Sequence, residues 1–127
     1  MYSSRFDPEQ RVFYMTLEGF WSQATVVAFS TTMLARGVAT RLRHGQFAIV
    51  ADARTFPVQA AAVAEALERT MHQSAKITAG PFYTVVNSML SKAQAVRVST
   101  SPNSHVFTNW DEAQAALKRD WIDRFSS

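Results

Sequence analysis

Phe47-Ala48-Ile49-Val50-Ala51, closed by Asp52, is a short unbroken apolar run, and no other segment restricts the fold so tightly. Successive side chains of a strand point to opposite faces. A strand that is apolar at every position therefore has to be covered on both sides, which is the situation of a central strand in a parallel sheet flanked by helices.

The neighbouring segments supply those parts. Tyr2–Phe6 and Arg11–Gly19 read as a β-hairpin about a turn at Asp7-Pro8-Glu9-Gln10. In its second strand Phe13, Met15 and Leu17 point one way and Val12, Tyr14 and Thr16 the other. From Ser22, a good N-cap, the spacing becomes helical, with Val26, Phe29, Met33 and Leu34 on one face that continues towards Val38 and Leu42. Gly37 weakens that helix by about 1 kcal/mol relative to Ala, which leaves a kink or early stop open there, and Gly45 is the firmer stop. Pro57 fits the first position of a second helix whose apolar stripe is Val63, Leu67 and Met71.

The chain turns at Gly80-Pro81 into a strand at Phe82–Val86, and Asn87 or Ser88 caps a short helix over about Met89–Val96. His105–Phe107 is a minimal strand. Asn109, with Glu112 three residues on, resembles the capping box of a last helix that carries Trp110, Ala113, Leu117 and Trp121 on one side. The order is ββαβαβαβα in 127 residues. It predicts a single α/β domain with an open, mostly parallel sheet, an N-terminal antiparallel hairpin and right-handed crossovers.

Composition removes several function classes. With 47% hydrophobic and 18% charged residues the chain is neither disordered nor collagen-like. No apolar run approaches the roughly 18 residues that span a bilayer. Met1–Pro8 has no apolar leader, so a cytoplasmic location is expected. With no cysteine there is no disulfide, thiolate metal site or cysteine nucleophile. Thirteen Lys and Arg against 10 Asp and Glu leave a net charge of only +3. The tightest basic cluster, Arg41, Arg43 and His44, precedes Gly45 at a helix end, where cations complement exposed carbonyls, so no nucleic-acid surface is expected.

Four stretches together carry a family resemblance: the strand end Leu17-Glu18-Gly19, the Phe47–Asp52 strand with Ala53-Arg54 after it, Phe82–Asn87 with its short helix, and Val106–Ala113. Over nearly the whole chain they resemble STAS-like domains, the small domains related to bacterial anti-sigma-factor antagonists and, more distantly, to lipid-binding CRAL-TRIO domains. The resemblance implies a non-enzymatic bacterial domain that binds a protein partner, a nucleotide or an apolar ligand. It also implies a phosphorylatable serine at the start of the helix after the central strand. Here that segment is Pro57-Val58-Gln59-Ala60-Ala61, without a hydroxyl, and Thr55 lies upstream of it. A phosphorylation switch is therefore not carried over.

No catalytic motif stands out. Gly19, Gly37, Gly45 and Gly80 are too scattered for a phosphate-cradling loop, and there is no nucleophile elbow or zinc-protease helix. His44, His72 and His105 fall in different elements, and Glu65 and Glu68 flank an apolar stripe beside Arg69, as solvated-face residues do. Neither a metal nor a cofactor is called for.

What remains is positional. Ligands of open α/β sheets favour the crevice beyond the carboxyl ends of the strands. Asp52, Arg54, Thr55, Asn87 and Ser88 gather there if their strands are neighbours. Two readings stand: these residues form a partner- or ligand-binding edge, or they cap helices and close turns, with Arg54 paired to Asp52. Phe20, Trp21 and Trp110 read mainly as core or staple packing. Trp121 and Phe125, four apart near the C-terminus, form a candidate strip for a homodimer contact. The expected function is a regulatory or binding domain for a protein or small molecule. The alternative is a carrier of a small apolar or lipid-like ligand held between helices and sheet.

Overall fold

In the computed structural model, which describes residues 1–125, the chain forms β1 (Tyr2–Asp7), β2 (Val12–Glu18), α1 (Gln23–His44), β3 (Ala48–Thr55) and α2 (Ala61–Ile77). It continues through β4 (Phe82–Val85), α3 (Met89–Val98), β5 (Ser104–Phe107) and α4 (Trp110–Asp120), then a 3-10 turn at Ile122–Phe125. The strands lie in one sheet in the order β1-β2-β3-β4-β5, with β1 antiparallel to β2 and every later pair parallel. The expected ββαβαβαβα order and the hairpin start are both present.

This order decides which face each helix covers. Three right-handed crossovers that all step the same way put α1, α2 and α3 on one side of the sheet. The other side is left to α4. The two apolar clusters follow that division. Phe13, Met15, Ile49 and Ala51 pack against Phe29 and Met33 of α1 and Val63 of α2. Val12, Ala48, Val50 and Tyr83 pack against Ala116, Leu117 and Trp121. β3 is thus central and buried on both faces, as its continuous apolar run requires.

Four local expectations are corrected. α1 runs unbroken through Gly37, which is buried on α2; a β-carbon there would sit an ordinary 3.6 Å from Ile77. The buried stripe Val26, Phe29, Met33, Gly37 advances towards Thr40 and Arg41, so Val38 and Leu42 fall outside it and are exposed. Pro57 does not open α2, which begins at Ala61. The segment before it is pulled out of helical geometry by Gln59, whose amide donates to the Pro57 carbonyl at 2.7 Å and whose N–H is taken by Gln94 at 2.8 Å. Trp121 is no exposed strip: only 5% exposed, it packs on the α4 face and donates its indole N–H to Arg11 O at 2.9 Å. The side chain of Phe125, the other half of that strip, lies outside the described residues.

At the amino end of the sheet the buried Thr78 hydroxyl joins the end of α2 to β3. It lies 2.6 Å from Phe47 O, 3.0 Å from Phe47 N and 3.2 Å from Gly80 N. Gly80 is thereby pressed on the Phe47 peptide, and a β-carbon there would come within 2.0 Å of Phe47 O. Because the obstacle is backbone, Gly80→Ala should cost at least the ~1–3 kcal/mol of ordinary overpacking in urea unfolding. Gly37→Ala, by contrast, should gain about 0.5–1 kcal/mol from helix propensity, since its methyl meets only an ordinary contact.

Candidate functional site

β2, β3 and β4 are parallel and end at a common edge, after Glu18, Thr55 and Val85. The condition for the predicted polar residues to share an edge is met. β3 extends four residues beyond Ala51, so Asp52, Arg54 and Thr55 belong to the strand and not to helix caps.

The alternation that buries Ala48 and Val50 under α4 carries Asp52 and Arg54 onto the same face. There they form a bidentate pair, with Arg54 Nε 2.9 Å from Asp52 Oδ1 and the second guanidinium nitrogen 2.8 Å from Oδ2. The guanidinium also lies over the Trp110 ring, 4.3 Å from its centroid. Hydrogen bonds from Arg54 outweigh partial burial and hold the Asp52 carboxyl below its ordinary range, and the same pairing raises Arg54.

Thr55 is exposed and gives its carbonyl to Gly19 N–H at 3.2 Å, closing the β2 and β3 ends together. Asn87 and Ser88 are exposed as well, and the Ser88 hydroxyl caps α3 by accepting from Ser91 N at 3.1 Å. Among the described residues no side-chain hydrogen bond joins Asp52 and Arg54 to Thr55, Asn87 or Ser88. The five residues share one edge but form two groups.

The edge has two further parts that the sequence did not single out. Gln59, 4% exposed, accepts from Trp21 N at 2.8 Å and donates to Gly19 O at 3.0 Å and Pro57 O at 2.7 Å. Its backbone and the Gln94 side chain exchange two more bonds, at 2.8 and 2.9 Å. One residue thus ties together the loops after β2 and β3 and the middle of α3. A lone polar residue inside Pro57-Val58-Gln59-Ala60-Ala61 was the only sequence signal for it.

The second part is apolar. Phe20, read from the sequence as packing, is 77% exposed, and Met89 and Leu90 at the start of α3 are 71% and 72% exposed. All three follow strands that end at this edge. Nothing in periodicity could have found them, because they stand at element starts where no repeat is established. Among the described residues there is no cluster of His, Cys, Asp or Glu suited to a metal ion.

Neither a scan against protein-family models nor a search of curated proteins returns a match. A search of solved structures does. The chain is similar to the crystal structure of an anti-sigma factor antagonist from Mycobacterium paratuberculosis, with a TM-score of 0.64 and 16% sequence identity, covering 93% of this chain and 95% of that one. The fold is therefore STAS-like. At this identity the likeness carries the architecture, and the use of the edge has to be argued from its own residues.

Two measurements test this description. Gln59→Leu leaves the buried Trp21 N–H without its acceptor and should lower the unfolding free energy by about 2–3 kcal/mol. Because Asp52 titrates lower when folded, its contribution is complete above the ordinary carboxylate range and is lost as pH falls through the folded value. The stability difference between wild type and Asp52→Asn should thus shrink below about pH 4. For a partly exposed pair it should reach only about 0–1 kcal/mol at neutral pH.

Proposed function

We propose that this chain is a non-catalytic regulatory domain, acting in the cytoplasm, whose carboxyl edge binds a protein partner. The observation that carries the reading is the set of three large apolar side chains, Phe20, Met89 and Leu90, each more than 70% exposed and all following strands that end at one edge. Apolar side chains grouped in this way beside a polar rim are the usual mark of a protein contact surface. The Gln59 bonds hold the loop that carries Phe20, and its exchange with Gln94 ties down α3, which carries Met89 and Leu90, so less ordering is left to be done on binding. Arg54 adds a half-exposed guanidinium already oriented by Asp52 and Trp110. That suits recognition of a carboxylate or a main-chain carbonyl on the partner.

The likeness to an anti-sigma factor antagonist supports a regulatory protein-interaction role and lends nothing to the carrier alternative. The N-terminus of α2 departs from the phosphoserine pattern that the resemblance implies. Its N-cap is Ala60, which makes no side-chain hydrogen bond to the helix.

The test is to place a photo-crosslinking amino acid at Phe20, Met89 and Leu90, with the equally exposed Leu42 as the remote control, in cells of the native host. One shared protein adduct is expected from the three edge positions and none of it from position 42. Arg54→Ala should weaken that complex by about 1–3 kcal/mol, measured by calorimetry with the identified partner. Its melting should move by no more than a pair worth about 0–1 kcal/mol allows. Edge positions that give the same adducts as Leu42, or a complex indifferent to Phe20→Asp and Met89→Asp together, would sink the proposal.

A further inference from the structure

On the three-helix side of the sheet, between β2–β4 and α1–α3, lies a cavity of about 110 Å³. It exists because α3 does not seat on the sheet: none of its ten residues is buried, and it is tied down chiefly by Gln94 to the loop before α2. No charged side chain contributes to the wall. Three of its polar side chains are spent on neighbours, and Thr84 and Ser91 add two hydroxyls to an otherwise apolar wall. Thr70 bonds Ala66 O and Ser30, Ser74 bonds Met71 O, and Gln94 bonds the Gln59 backbone.

A wall of this kind has no charge to offer an anion or a cation, and its few scattered hydroxyls do not make up the roughly three hydrogen bonds a buried water takes. Burying an uncompensated charge there would cost far more than apolar contact returns. Apolar cavities of roughly 150 Å³ stay dry and take up benzene. Three methionines, Met15, Met33 and Met71, border the space and can reshape around an occupant.

We infer that this cavity is a binding site for a compact, neutral, hydrocarbon-like molecule about the size of one aromatic ring. The cavity runs under the partner edge, sharing Gln94 with it, but its occupancy by an apolar molecule does not depend on the regulatory reading. With no cation in the wall, a carboxylate drawn into it would go unpaired, so a neutral ring is favoured over its carboxylate analogue.

The methionines provide the test. The chain has five; Met15, Met33 and Met71 border the cavity, while Met1 and Met89 are exposed. The full chain, labelled at the methionine methyls, is titrated with benzene, toluene and benzoate and followed by NMR. Benzene and toluene should move the Met15, Met33 and Met71 signals saturably and leave Met1 and Met89 in place, and benzoate should move none. Ala95→Leu, which fills the space from α3, should weaken toluene binding at least tenfold. The neutral-against-anion contrast needs no variant, so it stands even if Ala95→Leu folds poorly. No saturable shift up to the solubility limit of benzene, equal shifts with benzoate, or toluene binding unchanged in folded Ala95→Leu would each overturn the inference. Met89 moving alone would point to the partner edge and equally refute the cavity.

Discussion

The carboxamide of Gln59 is the contact on which the carboxyl edge depends. A buried amide is tolerable only when its donors and acceptors are met, and this one is met entirely by main-chain groups: Trp21 N and Gly19 O of the loop after β2 and Pro57 O of its own loop. Main-chain groups at strand ends have lost their ladder partners, so each needs an acceptor or donor from elsewhere. Gln59 supplies them for two loops at once. In doing so it delays α2 to Ala61 and fixes where Phe20 leaves the β2 end. The shape of this part of the edge follows from satisfying backbone polarity, and the exposed Phe20 inherits its position from it.

Arg54 shows how a pair can be local and still available. Asp52 takes two of its nitrogens and Trp110 underlies its plane, yet the side chain remains 44% exposed. The pairing adds little to stability, as half-exposed pairs do. What it supplies is orientation, because a guanidinium paired to a carboxylate and resting on a ring keeps fewer alternative rotamers to lose on contact.

Much of the architecture was legible in the sequence because burial imposes periodicity. The run Phe47–Ala51 could only be central, and the hairpin, the strand at Phe82 and the N-cap at Asn109 each carry a local signal that tertiary structure did not override. The failures share a cause. Val38, Leu42 and Phe20 are apolar without being core, and Trp121 reads as a possible surface strip until α4 is seen to be the sole helix covering one face. Pro57 fits a helix start on local grounds and lost to tertiary hydrogen bonds from Gln59. At the candidate site the sequence placed Asp52, Arg54, Thr55, Asn87 and Ser88 at one edge. It could not show that sheet alternation sends Asp52 and Arg54 to one face while Ser88 is spent on a cap, since that division depends on how far β3 extends.

The sequential strand order has a consequence for synthesis. Each new strand from β2 to β5 pairs with the one made before it, so the sheet and its three-helix side can assemble in order as the chain emerges. The opposite face has no such provision. Val12, Ala48, Val50 and Tyr83 await α4, and the indole that seals them reaches back 110 residues to Arg11. Until that last helix leaves the ribosome, the nascent domain presents one finished side and one bare apolar side. The C-terminal helix is thus the step that covers the second face of a growing sheet, and a chain stalled before it is the form most in need of a chaperone.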